Sequence, residues 1–379
     1  MDSRSTNKPM SFFSFFKIPS KADSPTNTAM RIPSLDGLRA VSISLVLAGH
    51  LTHNKSEASW LKTVYEQFQL GWLGVTIFFV ISGFLITTLL LREKTRFHGK
   101  VDIRSFYIRR VLRIFPVFYL YVAVVYLLHL AGVESVPTQD FIRALTYTAN
   151  LGMGAWVLGH AWTLAVEEQF YLFWPWLVRL SSQWMAGAAV VMILYAAMAH
   201  EIAYRWPFLE GYMLLPFLKG VDCLMIGALL GFALHRFPRL QQNVLFRKTS
   251  LRLLVLGLLL TFRYLAYNGA MPQGEFAGKF IRPFTDTFSA VCIGYLLVSC
   301  MTTQGDRCFK LLNHPVAVHF GVLSYSLYVW QQLFLDNQAS GVWWRTFPAN
   351  LFCAYAAAYL SYSFWERPIL NWRDQFKRV

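Results

Sequence analysis

The apolar stretch SLDGLRAVSISLVLAGH, residues 34 to 50, keeps an aspartate, an arginine and a histidine. Ionisable groups at the centre of a membrane helix cost about 2.5–3.5 kcal/mol each on insertion scales, so they are functional by default. Asp36 and Arg39 lie near the start of the stretch, where they can pair or reach the surface. His50 lies deeper. The eleven residues from Arg39 to His50 make about 16 Å of helix and close to three turns, so both side chains project from one face. Imidazole exchanges protons near neutral pH, which makes His50 a candidate general base. A packed histidine, satisfied by a neighbouring carbonyl, is the plainer use of the same residue.

A second cluster, RSFYIRRVLRIFP at 104–116, brings Arg104, Arg109, Arg110 and Arg113 to the start of another apolar run. Spacings of three and four place Arg110 or Arg109 on one helix face with Arg113. Guanidinium forks suit phosphate oxygens; the same cluster would also anchor lipid head groups. A third, HAWTLAVEEQFYLFWP at 160–175, holds Glu167 and Glu168. They lie roughly 15 Å into a span from the far side, and His50 roughly 22 Å from the near side of a ~30 Å core. A carboxylate at that depth can approach the imidazole and fix its tautomer. Which of the two would do so stays open, and either could pair with an arginine instead. Ser82 and Gly83 in FFVISGF read as close helix packing. Ser324, Tyr325, Ser326 and Tyr328 read as hydrogen bonding between helices, and Glu366 in WERP as an arginine partner.

The elements that must hold these groups are membrane helices. Of the 379 residues, 55% are hydrophobic and 15% charged, against about 25% charged in a soluble chain. The formal net charge of +15 does not point to nucleic acid, because the basic residues lie between apolar runs. Ten runs approach the ~20 residues a helix needs to cross a bilayer: about 35–53, 71–91, 111–131, 157–178, 185–204, 213–234, 251–268, 284–302, 316–335 and 348–366. The segment LTYTANLGMGAWVLGH before the fourth reads as partial or re-entrant. With the N-terminus inside, 26 of the 35 Lys and Arg fall on the inner side, as the positive-inside rule requires. Both termini are therefore expected in the cytosol.

The expected organisation is an all-α integral membrane protein. It has a disordered basic tail over 1–30, a transmembrane domain over 31–370 and a short basic tail over 371–379, with no further domain. The five cysteines (Cys223, Cys292, Cys300, Cys308 and Cys353) read as buried free thiols. Cys and His show no metal-ligand spacing, so no metal site and no bound cofactor are expected.

In this order, LDGLRA…H, FFVISGFLIT, FYIRRVLRIFP, HAWTLAVEEQFYLFWP, LSYSLYVW and WERP resemble the blocks of the membrane acyltransferase family 3, which includes O-antigen and exopolysaccharide O-acetyltransferases. The likeness runs from about Arg31 to Leu370. It implies a multi-pass enzyme of the bacterial inner membrane that moves an acyl group, often acetyl, from cytosolic acyl-CoA to a hydroxyl of an envelope glycan or similar acceptor. His50 matches the family's catalytic histidine. Arg110 and Arg113 match its Arg-x-x-Arg pair, thought to serve the acyl-CoA, with Arg39 as the basic residue ahead of the histidine. Many members have His after the Trp of the SYSLYLWH block, where this chain has Gln331, so a proton role there is in doubt. The expected mechanism has His50 as general base, supported by Glu167 or Glu168; an acyl-histidine is left open. The competing class is a multi-span transporter of a lipid-linked sugar or amphipathic solute, against which the absence of visible internal repeats speaks.

Overall fold

The computed structural model describes residues 32, 34–51, 59–152, 154–209, 218–268, 281–335 and 342–373. The tail expected over 1–30 and most of that over 371–379 lie outside them. The described residues are helical, with no strand. In chain order the helices are α1 Leu35–Leu51, α2 Ser59–Phe68, α3 Leu70–Arg96, α4 Ile103–Leu130, α5 Thr138–Leu145, α6 Ala161–Leu180 and α7 Ser182–Arg205. They continue as α8 Val221–Arg236, α9 Thr249–Asn268, α10 Thr285–Thr302, α11 Arg307–Leu312, α12 Pro315–Phe334, α13 Ala349–Ser361 and α14 Arg367–Arg373.

Among the described residues, five helices are long and apolar enough to cross a membrane: α3, α4, most of α7, α9, and α10 with the turn before it. A helix also lies at each of the other five expected segments, and these are shorter or more polar. α1 has 17 residues, α8 16 and α13 13. α6 carries Glu167, Glu168 and Arg179, and α12 a glutamine pair. LTYTANLGMGAWVLGH folds as short 3-10 turns, Ala149–Leu151 and Trp156–Leu158, ahead of α6.

α3 is the central helix, buried along most of its length between α8, α1 and α6. Its contact with α8 is backbone on backbone. A Cβ on Gly83 would lie 1.9 Å from the Leu224 carbonyl oxygen, and one on Gly227 2.2 Å from that of Val80. The packing expected of Gly83 is thus present, and only glycine permits it. α1 is clasped the same way by α12, where a Cβ on Gly321 would meet the Asp36 carbonyl oxygen at 1.9 Å. α1 and α3 meet at Gly74, where a Cβ would lie 2.6 Å from the Ser42 carbonyl oxygen, so α12, α1 and α3 stand side by side, and the candidate residues sit on those helices together with α4 and α6. The outer faces are apolar: Val191 and Leu194 on α7 and Leu253 on α9 are 64%, 58% and 63% exposed, a surface suited to lipid.

Local signals start the helices that carry the site. The Asp102 side chain caps α4 by accepting from the Ser105 N–H at 3.1 Å, and its own N–H donates to Glu93 at 2.8 Å. This sets Arg109, Arg110 and Arg113 one to three turns into the helix. α12 begins on His314 with Pro315 in its first turn, so its tyrosines and glutamines follow in a fixed helical register.

Candidate active site

A cavity of about 90 Å³ lies among α1, α3, α4, α6 and α12. Its walls include Arg39, Arg110, Arg113, Ser82, Glu167 and Tyr171. Three arginines expected to share a ligand from the sequence therefore do line one space. Arg39 is paired with Asp36 at 3.3 Å, the pairing foreseen for that end of α1. Arg110 is held between aromatic faces, its guanidinium carbon 5.6 Å from the Phe106 ring centre and 5.4 Å from that of Tyr171. Stacking fixes the plane of the fork and leaves its N–H edge to work. Arg109 turns away to Glu93 at 3.5 Å, and Arg104 is exposed. Against these three arginines the cavity wall sets one carboxylate, Glu167, so the space is positive.

Glu167 accepts hydrogen bonds from the Ser82 hydroxyl and the Tyr171 hydroxyl. Ser82 thus has a role beyond packing. Glu168 lies within electrostatic reach of Arg110, Tyr119 and Tyr147. Further along the cavity, the Thr163 and Tyr328 hydroxyls meet at 2.6 Å. Tyr325 donates to the Ile114 carbonyl at 2.6 Å, and Ser326 to Glu366 at 2.6 Å. The hydroxyls of α12 tie helices together, as their sequence suggested.

His50 stands outside this cavity wall. Its Nδ1 lies 2.6 Å from Oε1 of Gln331, and its ring packs edge-on to Trp156 with centres 5.4 Å apart. An amide oxygen only accepts, so Nδ1 carries the proton and Nε2 the lone pair. The group that holds the tautomer at Nδ1 is therefore Gln331, in place of the glutamate expected from the sequence. Depth along the membrane suggested Glu167 or Glu168, but depth leaves the direction around the helix open, and Glu167 points to Ser82 and Tyr171. Gln331 itself is fully buried.

The next residue, Gln332, accepts from the backbone N–H of His160 at 2.8 Å. His160 is buried, 3% exposed, and its ring lies edge-on to Tyr121 at 5.2 Å and Tyr328 at 5.7 Å between centres. It is within electrostatic reach of His50. The adjacent glutamines of α12 thus hold two histidines from different helices. His160, Gln332, Thr163 and Tyr171 were not singled out from the sequence. Two amides side by side in an otherwise apolar helix were the available signal.

Two polar groups of residues thus stand among apolar helices, the arginine-lined cavity and the histidine pair outside its wall, with Thr163, Tyr328 and the ring of His160 between them. One end offers planar cations to an anion. The other holds a histidine whose Nδ1 meets an amide oxygen and whose ring lies against Trp156.

An acyltransferase domain family matches residues 32–366. A Staphylococcus aureus protein provisionally named an O-acetyltransferase is 28% identical over 91% of this chain and 59% of its own length. Peptidoglycan O-acetyltransferase OatA of Listeria monocytogenes is 25% identical over 79% of this chain and 48% of its own. A Bacillus subtilis protein provisionally named a peptidoglycan O-acetyltransferase is 27% identical over 89% and 55%. The chain spans about half to three-fifths of the length of these relatives. No solved structure matches it.

Proposed function

The chain belongs to acyltransferase family 3, and from that premise we propose that it transfers an acetyl or similar acyl group from acyl-CoA to a hydroxyl of a cell-envelope glycan, with His50 as general base. The ten helices are read as ten crossings of the bacterial inner membrane with both termini cytosolic, which puts the arginine-lined cavity at the cytosolic face.

The observation that carries the reading is the arginine-lined cavity with a histidine beyond its wall. Coenzyme A brings phosphates, and Arg110 and Arg113 with Arg39 line a cavity that holds one carboxylate. Its pantetheine arm is long and narrow, suited to a passage walled by Ser82, Glu167, Thr163 and Tyr328. The thioester then arrives beside His50. Nε2 of His50 takes the proton of the acceptor hydroxyl, and the oxygen attacks the thioester carbonyl. Gln331 keeps Nδ1 protonated throughout, so the base stays aimed and in one tautomer. The tetrahedral adduct collapses with cleavage of the C–S bond, and the proton on Nε2 passes to the departing thiolate. Glu167 is assigned to positioning Ser82 and Tyr171 in the passage. A peptidoglycan-type glycan is the acceptor class that the names of the relatives suggest.

The test is release of coenzyme A from acetyl-CoA by the purified protein, with and without an envelope-glycan extract. Release that requires both the extract and His50 is the expected result. Release at the wild-type rate from His50→Ala would remove the assignment of the base. Failure of the folded wild type to bind acetyl-CoA or longer acyl-CoAs would leave a transporter as the better reading.

A further inference from the structure

Four helix starts bring one side chain each to a common cluster. Trp72 lies in the first turn of α3, Trp162 in that of α6 and Asp286 in that of α10, and Lys219 stands just ahead of α8. The two indoles stack, with ring centres 5.2 Å apart and planes within 13°. The Lys219 ammonium lies 4.5 Å from the Trp162 ring centre and 5.1 Å from that of Trp72. The Trp72 Nε1–H donates to Asp286 at 2.6 Å, and the Phe79 ring meets Trp162 edge-on with centres 6.2 Å apart. Gly220, at φ 80°, lets the chain that carries Lys219 lie on Phe79, where a Cβ would come within 2.3 Å of the ring. The cluster adjoins the histidine end by backbone contact. A Cβ on Gly49 would lie 2.8 Å from the Gly71 Cα, and the residues that follow these glycines are His50 and Trp72. Phe79 also lines the arginine-lined cavity. Trp184 and Trp343 are 78% and 71% exposed, as indoles at a lipid interface are. Trp72 and Trp162 are half-buried, and Lys219, which lies on them, is exposed. The pair is therefore reached from outside past one long, flexible side chain.

We infer that Trp72 and Trp162 form the acceptor subsite: a pyranose ring of the glycan lies against the indole pair, with Lys219 and Asp286 at its edge. The inference rests on the acyl-transfer reading above and names where its acceptor binds. A pyranose carries C–H bonds on its faces and hydroxyls around its edge. Indole faces suit the first, and an ammonium and a carboxylate suit the second. An acyl chain would use the rings and have no partner for the charges. Lys219 leaves the ring faces as the sugar arrives and turns to its oxygens. The rings themselves are held by Asp286 and Phe79 beforehand, so little ordering is left for binding to supply. A sugar on this pair stands beside the crossing of α1 and α3 that carries His50, and the cavity where the donor docks lies on the other side of Phe79.

The experiment measures initial rates of coenzyme A release at saturating acetyl-CoA over a range of glycan-extract concentrations. It compares wild type with Trp72→Leu, Trp162→Leu, Trp72→Phe and Trp162→Phe, each checked for folding by thermal denaturation in detergent and for acetyl-CoA affinity. Leucine keeps an apolar side chain and removes the ring; phenylalanine keeps a smaller ring. Aromatic stacking sets the expected size: apparent KM for the glycan rises about tenfold with Leu and about threefold with Phe, with kcat and acetyl-CoA affinity within about twofold of wild type. The Phe variants carry the test should a Leu variant fail to fold. Glycan KM unchanged in the folded variants would overturn the inference and leave the pair as an interfacial anchor. So would a loss of kcat at unchanged KM, the mark of a disturbed frame around His50. Either result beside a wild type that transfers acetyl sinks this inference alone; a folded wild type that binds no acyl-CoA sinks the reading beneath it and this inference with it.

Discussion

The arginine-lined cavity and the histidine pair differ in how their polar groups are satisfied. At the arginine end the charged groups are held by neighbours, Arg39 by Asp36, Arg110 between Phe106 and Tyr171 and Glu167 by Ser82 and Tyr171, while Glu168 keeps a buried oxygen without a hydrogen-bond partner. At the histidine end the partners are amides and rings, Gln331 and Trp156 at His50 and Gln332 at His160. The first pattern suits a place where a ligand docks by charge on a rigid frame. The second suits a place where a proton is exchanged, because amides and rings aim an imidazole without fixing its charge. Arg39 and His50 stand on one helix, α1, so the separation of the two ends is set by a rigid element and not by long side chains.

Variants at each end should therefore fail in different ways. The largest effect is expected for His50→Ala, with turnover down about 10²–10⁴-fold, the range for a positioned general base, and acetyl-CoA binding unchanged. Turnover and titration calorimetry on one preparation check this. Next comes Arg113→Ala, which removes a cation from the cavity wall. Charge-assisted hydrogen bonds contribute about 1.5–3 kcal/mol, so acetyl-CoA should bind roughly 10–100-fold more weakly while turnover at saturating donor is largely kept. Gly83→Ala sharpens the comparison from the frame. Its new Cβ would overlap the Leu224 carbonyl oxygen, so α3 and α8 must part, at a cost of about 1–3 kcal/mol. A lowered thermal midpoint with both ends impaired together is the expected signature. The smallest effect belongs to Arg104→Ala. Arg104 is exposed and outside the cavity wall, and donor affinity within twofold of wild type is expected of it.

The shared face of Arg39 and His50 was legible because the helix period alone determines it. So was the arginine cluster, whose members are neighbours in sequence. The supporter of His50 was not. Gln331 lies 281 residues away, and only the packing of α12 against α1 brings it there. Glu167 and Glu168 stood at the right depth, but successive residues turn by 100° around a helix, and depth does not say which way a carboxylate faces. The helices themselves were found where apolar runs predicted them. Of the helices carrying the site, α3 and α4 are long and apolar enough to cross a membrane, while α1, α6 and α12 are too short or too polar. Hydropathy blurs where the chemistry lies.

The most direct test of the account is to measure acetyl-CoA affinity and saturated turnover side by side for His50→Ala and Arg113→Ala. The account predicts a crossing pattern, in which His50→Ala binds like wild type and does not turn over, while Arg113→Ala binds weakly and turns over once saturated. Full turnover by His50→Ala, or wild-type affinity in Arg113→Ala, would contradict the division of the site into a docking end and a reacting end.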